Sequence, residues 1–369
     1  MLYVLRYYPT LSETFVYREM AEIVARGVTV HAMAIGSRPD GRLQDELPPV
    51  DVRYPPQGFR GGAVLFGLAR ALGSRDGRWA WRWANGNMRT KDAARACWLA
   101  IYASEIGASR LHAHFAGEAA EWARVAGAIL GIPYTVTVHA VDLFRPRPTL
   151  SVVLRDADRV IVIAEHHRHI IADRYRVESQ VVRCGVDPSR YAAANPGTEG
   201  PLRVVSVARN VPKKGLPLLA RAVDSASVPM SLRLVSDAPA LRSDRVRPGQ
   251  LPPSMVGSAL EQAHLFALPC RIADNGDRDG LPVSLLEAMA AGLPVLTTPI
   301  AGIPEVVDEQ VGWLVPPDDR SALQRALEEI AAHPKERARR GRAARERIVE
   351  RGLTVKRQAD ALLGHWGMA

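Results

Sequence analysis

Two successive runs of alternating strand-like and helix-like segments restrict what this chain of 369 residues can fold into. The first run starts with a predicted strand at residues 2–7, a helix at 14–26 and a strand at 28–35. The second starts with a strand at 203–208 and a helix at 215–223. Strands that alternate with helices form parallel sheets with helices on both faces. The sequence therefore predicts an α/β fold of two doubly wound, Rossmann-like domains that face a deep cleft.

The remaining segments continue both runs. In the first half we predict helices at residues 63–72, 91–105, 119–130 and 166–174, and strands at 110–114, 134–138, 159–164 and 181–183. In the second half we predict strands at 231–235, 265–268 and 294–297, and helices at 254–262, 282–290 and 355–366. Residues 191–201 are small and turn-rich, as in a linker. The expected domains are therefore residues 1–190 and 202–350.

Composition restricts the class of protein. Apolar residues make up 47% of the chain and charged residues 24%, which is typical of a globular protein. No apolar run is long enough to span a bilayer, and the opening one is cut off by Arg6. The three cysteines, Cys97, Cys184 and Cys270, are widely spaced, which argues for reduced thiols. We therefore expect a cytoplasmic protein. No Cys/His cluster has the spacing of zinc ligands, so no zinc site is predicted.

The net charge of +9 is concentrated near the carboxyl terminus. Residues 335–351 hold eight basic and three acidic side chains, which is most simply a solvated helix face. No RNA-binding motif or zinc finger accompanies them, so we predict no nucleic-acid partner. An anionic membrane surface and anionic substrates remain compatible with the charge.

Two carboxylates, Asp279 and Glu287, lie eight positions apart around a predicted helix start. Gly280 gives the backbone freedom, and Pro282 suits the first helical position. The free N–H groups of a helix start attract anions, while the flanking carboxylates can hold hydroxyl groups. This combination suits a sugar nucleotide. The alternative is an ordinary amphipathic helix with a solvated Asp and Glu.

Other chemistry-bearing side chains lie at predicted strand ends. Arg209 ends one strand, and Lys214 follows five residues later, before a helix. Two cations in such a loop can neutralise a pyrophosphate, although a strand-end Arg with a solvated Lys is the alternative. His114 and His139 each end a strand of the first half. A lone histidine at such a place is more often structural.

Together these segments resemble the retaining, nucleotide-sugar-dependent glycosyltransferases of family 4, which have the GT-B fold. The acidic pair resembles the acidic-x7-acidic signature of the family. Residues 209–215 resemble its Arg-x4-Lys-Gly element, and residues 302–305 resemble its Gly-x-Pro-Glu loop. The resemblance also implies that residues 351–369 form a helix that crosses back to the N-terminal domain.

The resemblance implies a role for each matching residue. Arg209 and Lys214 would hold the diphosphate and stabilise the departing nucleotide. Asp279 would contact the hydroxyls of the donor sugar, Glu287 the ribose, and His139 the sugar near its C6 hydroxyl. The backbone around the two motifs would enclose the donor, with Gly302 permitting close approach; these residues are Gly280, Leu281, Pro282, Val283, Ala301 and Gly302.

Four residues are candidates for the acceptor side. Ser12 and Glu13 lie in a Pro-x-x-Ser-Glu-Thr-Phe segment similar to that of bacterial exopolysaccharide glycosyltransferases, and Ser12 also suits a helix cap. Asp142 would orient an acceptor or His139. His114 is either structural or lines the acceptor site.

Tryptophans and arginines alternate in residues 75–83. Such a segment suits a peripheral contact with the inner face of the membrane or a carbohydrate platform. Packing between helices is an equally valid interpretation.

The sequence departs from the family pattern at three places. Asp279 replaces the usual Glu and is one methylene shorter. Cys184 stands where Asn is common. Ser236 begins a Ser-Asp-Ala-Pro segment in place of Gly-Asp-Gly-Pro, and the path to residue 265 is short, which predicts that a helix and a strand are missing beside the nucleobase.

The predicted function is transfer of a sugar from a nucleoside-diphosphate sugar to an acceptor hydroxyl with retention, without a metal or other cofactor. A sugar-nucleotide epimerase of the same architecture and a noncatalytic sugar-nucleotide binder are the alternatives. The acceptor stays open among a polysaccharide intermediate, a lipid-linked sugar and a natural product.

Overall fold

The computed structural model describes residues 1–56, 69, 72–192 and 200–368, and it contains two parallel sheets flanked by helices. The predicted helix at 63–72 lies almost entirely outside the described residues, as does most of the linker that we propose at 191–201. The two predicted runs of alternating segments each form one sheet.

The N-terminal sheet has seven strands in the spatial order β3-β2-β1-β4-β5-β6-β7. They are Leu2–Tyr7 (β1), His31–Gly36 (β2), Val52–Arg53 (β3), Leu111–His114 (β4), Tyr134–Val138 (β5), Arg159–Val162 (β6) and Gln180–Val181 (β7). Each neighbouring pair is parallel. The order reverses between β1 and β4, and ligands of such sheets bind beyond the carboxyl ends of the strands at this point.

Helices cover both faces of this sheet. They are Thr14–Ala25 (α1), Arg75–Asn87 (α2), Thr90–Glu105 (α3), Glu118–Leu130 (α4), Ala140–Phe144 (α5), Leu150–Asp156 (α6) and Glu165–Tyr175 (α7). Helix α2 carries the alternating tryptophans and arginines. Trp81 and Trp83 pack against the core, whereas Trp79 remains 49% exposed. No helix of the described residues is long and apolar enough to cross a membrane.

The C-terminal sheet has six parallel strands in the order β10-β9-β8-β11-β12-β13. The strands are Leu202–Val207 (β8), Met230–Val235 (β9), Val246–Gly249 (β10), Leu265–Leu268 (β11), Val295–Thr297 (β12) and Gly312–Leu314 (β13). Its helices are Leu216–Asp224 (α8), Pro253–Glu261 (α9), Val283–Ala290 (α10), Arg320–Ala332 (α11) and Pro334–Glu350 (α12). The order again reverses, here between β8 and β11.

The connection from β9 to β11 corrects one prediction. The strand predicted to be missing is present as β10, which pairs in parallel with β9. Between β9 and β10 the described chain forms a short 3-10 turn, Pro239–Leu241, where the helix was predicted to be missing. Strand β10 keeps one buried face through Val246 and Pro248, an alternation too short to stand out in the sequence.

A last helix, Val355–Trp366 (α13), packs on the N-terminal sheet. Leu362 and Trp366 join a hydrophobic cluster with Tyr3 and Ile23. The rings of Trp366 and Tyr3 meet edge to face at 6.4 Å. The side chain of Thr354 caps the helix by accepting the backbone N–H of Arg357.

The basic helix α12 has the predicted solvated face, on which Lys335, Arg339 and Arg342 are exposed, but other arginines of the helix point inward. Arg337 and Arg347 are buried, and they donate to the carbonyl groups of Ile330 at 2.7 Å and Val306 at 3.3 Å. The guanidinium of Arg340 lies 4.0 Å from the ring centre of Trp313. These contacts attach α12 to the C-terminal domain, because a buried guanidinium needs acceptors for its N–H groups.

Candidate active site

A cavity of about 750 Å³ lies between the two sheets, beyond the carboxyl ends of their strands. Twelve of the fifteen predicted site residues line it: Ser12, Glu13, His139, Asp142, Arg209, Lys214, Asp279, Gly280, Leu281, Pro282, Val283 and Glu287. The other three, His114, Ala301 and Gly302, do not border it. The structure thus brings together cations, carboxylates and a histidine that are far apart in sequence.

Asp279 is buried against two lysines. Its Oδ2 atom lies 2.8 Å from Nζ of Lys214, and its Oδ1 atom lies 3.7 Å from Nζ of Lys213. Burial alone raises the pKa of Asp279, but the two ammonium groups outweigh it and hold the pKa below its usual range. Lys213 also pairs with Asp277 at 3.1 Å, a contact that the sequence did not indicate. The Asp279 carboxylate is therefore ionised and fixed in place.

Arg209 remains available for an anion. It follows β8, is exposed and lines the cavity, and it forms no ion pair within the described part of the chain. Its loop is held by Asp237, whose Oδ1 atom accepts the N–H of Asn210 at 2.7 Å. A guanidinium on an anchored loop beside Lys214 is a suitable partner for a phosphate group.

Glu287 projects from helix α10 and is paired across the cleft. Its Oε1 atom accepts from Arg18 of helix α1 at 2.5 Å, and burial together with the nearby Glu287 raises the pKa of Tyr191. The second guanidinium nitrogen of Arg18 lies 3.2 Å from Glu46. Arg18 was not predicted as a site residue. The signal for it is weak, since a single arginine on an amphipathic helix is common.

The two motif glycines, Gly280 and Gly302, lie where the two domains pack against each other. Gly302 donates its N–H to the carbonyl of Gly280 at 2.9 Å, so that group is not directed at a ligand. A Cβ atom on Gly302 would lie 2.8 Å from Cβ of Ala164, and one on Gly280 would lie 2.5 Å from the ring of His167. Both contacts join the two domains. Close domain packing therefore accounts for the lack of a side chain at Gly302, and its predicted role in donor approach stays a prediction.

Glu305, in the same loop, caps a helix of the other domain. Its carboxylate accepts the N–H groups of Glu165 at 3.1 Å and His166 at 3.0 Å, the first residues of helix α7. Arg183 donates to it at 2.6 Å. Ala164 at the N-cap position of α7 has no side-chain acceptor, so Glu305 fills that place from across the domain boundary.

His139 ends β5 and begins the short helix α5. Its backbone N–H donates to Oδ2 of Asp142 at 2.9 Å, so Asp142 fixes the turn that presents the imidazole. Burial holds the pKa of His139 well below its usual range, and the neighbouring His114 and His167 lower it further. Burial also raises the pKa of Asp142 to about 6, against the opposing effect of its backbone hydrogen bonds. His139 is therefore neutral near pH 7.

The acceptor-side predictions divide. Ser12 is exposed in the cavity, and the N-cap position of α1 belongs to Glu13, so Ser12 does not cap the helix. His114 is 1% exposed and lies behind His139, with its Nδ1 atom 3.3 Å from Nε2 of His139. His114 therefore contacts another histidine and does not border the cavity.

Two family models match the chain. Residues 12–190 match the model described as Glycosyltransferase Family 4, and residues 201–333 match the model described as Glycosyl transferases group 1. The putative colanic acid biosynthesis glycosyltransferase WcaL of Salmonella typhimurium is 30% identical over 381 residues, which cover 88% of this chain and 88% of that protein. The chain belongs to glycosyltransferase family 4.

Further relatives agree with this family 4 membership. The amylovoran biosynthesis glycosyltransferase AmsK of Erwinia amylovora is 30% identical over 243 residues, which cover 59% of each protein. The structure of Anabaena Alr3699/HepE in complex with UDP and glucose covers 100% of both chains with a TM-score of 0.75 and 16% identity. The likeness to solved structures confirms the predicted GT-B fold.

The predicted reaction class is confirmed as well. As a family 4 member, the chain is a nucleotide-sugar glycosyltransferase of a retaining family. Neither family description is that of an epimerase. The roles of the individual site residues remain predictions.

Proposed function

We propose that the chain transfers a hexosyl group from a nucleoside-diphosphate sugar to a hydroxyl group of a polysaccharide intermediate, with retention at the anomeric carbon. One observation carries the proposal. Side chains of both domains that suit a diphosphate, a ribose and a sugar converge on one interdomain cavity. The printed names of WcaL and AmsK, which refer to colanic acid and amylovoran biosynthesis, support a polysaccharide intermediate as the acceptor.

The donor binds with its diphosphate between Arg209 and Lys214. Arg209 has no competing carboxylate among the described residues, whereas Lys214 is shared with Asp279 at 2.8 Å. A phosphate beside Lys214 therefore also lies beside Asp279, which places the sugar hydroxyls near that carboxylate. Glu287 accepts from the ribose hydroxyls, and His139 lines the sugar from the N-terminal domain.

Retention follows from attack on the same face that the nucleotide leaves. The bond between the anomeric carbon and the β-phosphate oxygen breaks, and the acceptor oxygen bonds to that carbon. The acceptor proton passes to the departing phosphate oxygen. Arg209 and Lys214 stabilise the negative charge that develops there. Asp279 is held by two lysines, so it orients the donor and does not attack the sugar.

The nucleobase lies toward strand β10. Gln250 and Leu251 follow this strand and line the cavity, as do Pro253 and Val256 of helix α9. Base selection therefore depends on Gln250 and its neighbours.

Helix α2 contacts the inner face of the membrane from the cytoplasmic side. Trp79 is 49% exposed and lies beside the exposed Arg75, Arg78 and Arg82. An interleaved aromatic and cationic surface suits anionic lipid headgroups. Trp81 and Trp83 pack inward, so the helix contributes one face to the membrane and the other to the core.

A binding and turnover experiment tests the proposed function. The thermal midpoint is measured with UDP, GDP and ADP, and then with the sugar nucleotides of the base that stabilises the protein. The chosen donor is incubated with a membrane-extracted polysaccharide intermediate, and the anomeric configuration of the product is read by NMR. A retained configuration supports the proposal. Donor turnover to a different sugar nucleotide without an acceptor identifies an epimerase, and binding without turnover identifies a noncatalytic relative.

A further inference from the structure

A buried chain of hydrogen bonds runs from His139 into the N-terminal domain. Nε2 of His139 lies 3.3 Å from Nδ1 of His114, and Nε2 of His114 lies 3.0 Å from Oε1 of Glu19. Glu19 also accepts from the hydroxyl of Tyr3 at 2.7 Å and from Nε2 of Gln358 at 2.6 Å. His114 and Glu19 are each 1% exposed. This chain of hydrogen bonds is therefore shielded from solvent behind the cavity.

The members of this chain come from separate parts of the fold. Glu19 lies on the apolar stripe of α1, between Phe15 and Ile23, where a charged side chain is unusual. His114 and His139 end neighbouring strands of the sheet. Gln358 belongs to the first turn of α13, so the start of the helix that returns from the C-terminal domain is part of this network.

The hydrogen-bonding groups determine the direction of each bond. The amide N–H of Gly185 donates to Oε1 of Gln358 at 2.7 Å, so Gln358 presents its NH₂ group to Glu19. Tyr3 donates its hydroxyl proton to the same carboxylate. Glu19 therefore accepts from three donors: Tyr3, Gln358 and His114. Because the Nε2 atom of His114 donates to this carboxylate, Nε2 carries the hydrogen of that ring. The Nδ1 atom of His114 then accepts, so His139 carries its hydrogen on Nε2.

We propose that Glu19 is a positioning residue that fixes the tautomer and ring orientation of His139 through His114, with Gln358 holding Glu19 in place. This inference rests on the proposed function, in which His139 lines the donor sugar. It assigns roles to Glu19, His114 and Gln358 in preparing the imidazole. It also makes helix α13 a support of the donor site.

The titratable groups around this chain of hydrogen bonds are consistent with a neutral imidazole at His139. His112 lies 5.0 Å from His114 between ring centres, and His167 faces His139 from α7. Burial holds the pKa of both His112 and His139 well below the usual range. Burial also raises the pKa of Tyr3 and of Cys184, so neither neighbour ionises near pH 7. No charge change is expected at His139 across neutral pH.

A metal ion is the competing explanation for part of this cluster. Ligand atoms of Glu19, His112 and His114 lie within 4.8 Å of one another. The ring nitrogens of His112 already contact Thr135 at 2.8 Å and Thr137 at 3.3 Å. Those of His114 contact His139 and Glu19. The hydrogen bonds therefore account for the cluster without an ion.

The first test reads the tautomers in the wild-type protein. The protein is labelled with ¹⁵N at its histidines, and the ring nitrogens of His114 and His139 are assigned by comparison with His114→Gln and His139→Asn. Both rings are expected to carry hydrogen on Nε2, and His139 is expected to stay neutral from pH 6 to 8. Hydrogen on Nδ1 of either ring, or titration of His139 in that range, would overturn the proposal. This measurement does not depend on turnover, so it is separate from any failure of the proposed function.

The second test compares Glu19→Gln and Gln358→Ala with Glu22→Gln, an acid-to-amide change on the more exposed side of helix α1. The first two variants are expected to lower kcat on the order of tenfold, with little change in donor KM, since the site is intact but the imidazole is no longer fixed. Glu22→Gln is expected to remain near wild type. Wild-type kcat in a folded Glu19→Gln protein would overturn the proposal. So would loss of activity on treatment with a chelator followed by recovery with zinc, which would indicate a metal site.

Discussion

The guanidinium of Arg18 contacts the carboxylate of Glu287 at 2.5 Å, and the side chains of both residues are 9% exposed. Arg18 lies on the first helix of the chain and Glu287 on a helix of the C-terminal sheet. The pair thus joins the walls of the cleft at the position where we propose that the ribose binds.

Replacing Arg18 by Ala is expected to lower the free energy of unfolding by about 3 kcal/mol, because it leaves the buried Glu287 without its cation. Urea denaturation measures the change. The same variant is expected to raise the KM for the donor, since Glu287 loses its orientation. Arg168→Ala is the control, because Arg168 pairs with Glu165 at the surface. Its cost is expected to stay below about 1 kcal/mol, and equal costs at both positions would contradict the interpretation.

Replacing Lys214 by Ala is expected to lower kcat by about 10²- to 10³-fold, since it removes a cation that stabilises the departing diphosphate. The far-ultraviolet circular dichroism spectrum should be unchanged. Initial rates of donor consumption with the acceptor measure the effect, and Lys335→Ala on the exposed side of α12 is the control. Near-normal turnover in the Lys214 variant would refute the proposed role.

The burial of Asp142 predicts a pH-dependent stability. Its pKa is raised to about 6 from the ordinary value of 3.8, so between these two pH values the folded protein holds a proton that the unfolded chain has released. The contribution of Asp142 to stability therefore falls as the pH rises through this window, by about 3 kcal/mol in total. Urea denaturation at pH 4.5 and pH 7 should show a smaller loss for Asp142→Asn than for the wild type. Asp173→Asn, which is exposed on α7, should follow the wild type.

The three cysteines are expected to be unreactive in the native protein. All are buried, and burial raises the pKa of Cys97 to about 12 and raises the pKa of Cys184 and of Cys270 as well. A thiol reagent should label no site within minutes in buffer and three sites per chain in denaturant. Rapid labelling of Cys184, which borders the cavity, would show that the cleft opens enough to expose it. Protection of that site by a nucleoside diphosphate would then locate the ligand.

The sequence was sufficient for the regular parts of the fold. Strand periodicity predicted the bounds of β1, β5 and β11, because each is a run of apolar and β-branched residues closed by turn-forming residues. Helix α2 was missed, since its tryptophans and arginines alternate without a clear apolar stripe. Strand β3 has two residues, which is too few to give a pattern.

The candidate site was predicted as far as its motifs reach. Each of Arg209, Lys214, Asp279 and Glu287 stands in a short local pattern, and the fold brings these patterns to one cavity. Arg18 and Glu19 belong to no motif, because their partners are distant in sequence and are set only when the two sheets pack. The sequence does contain one signal for Glu19, which is an acid at a position of α1 that the apolar pattern predicts to be buried.

The carboxylate of Glu305 completes a helix in the other half of the molecule. Exchanging nucleotide-binding halves among family 4 enzymes, by recombination or in the laboratory, therefore requires that the new half can cap helix α7. An incoming half must bring an acceptor for the amides of Glu165 and His166 and an anion for Arg183, or the recipient loses part of its own secondary structure. Under the proposed function, we therefore expect new donor specificities to be easier to reach by changes around Gln250 than by replacing the whole domain.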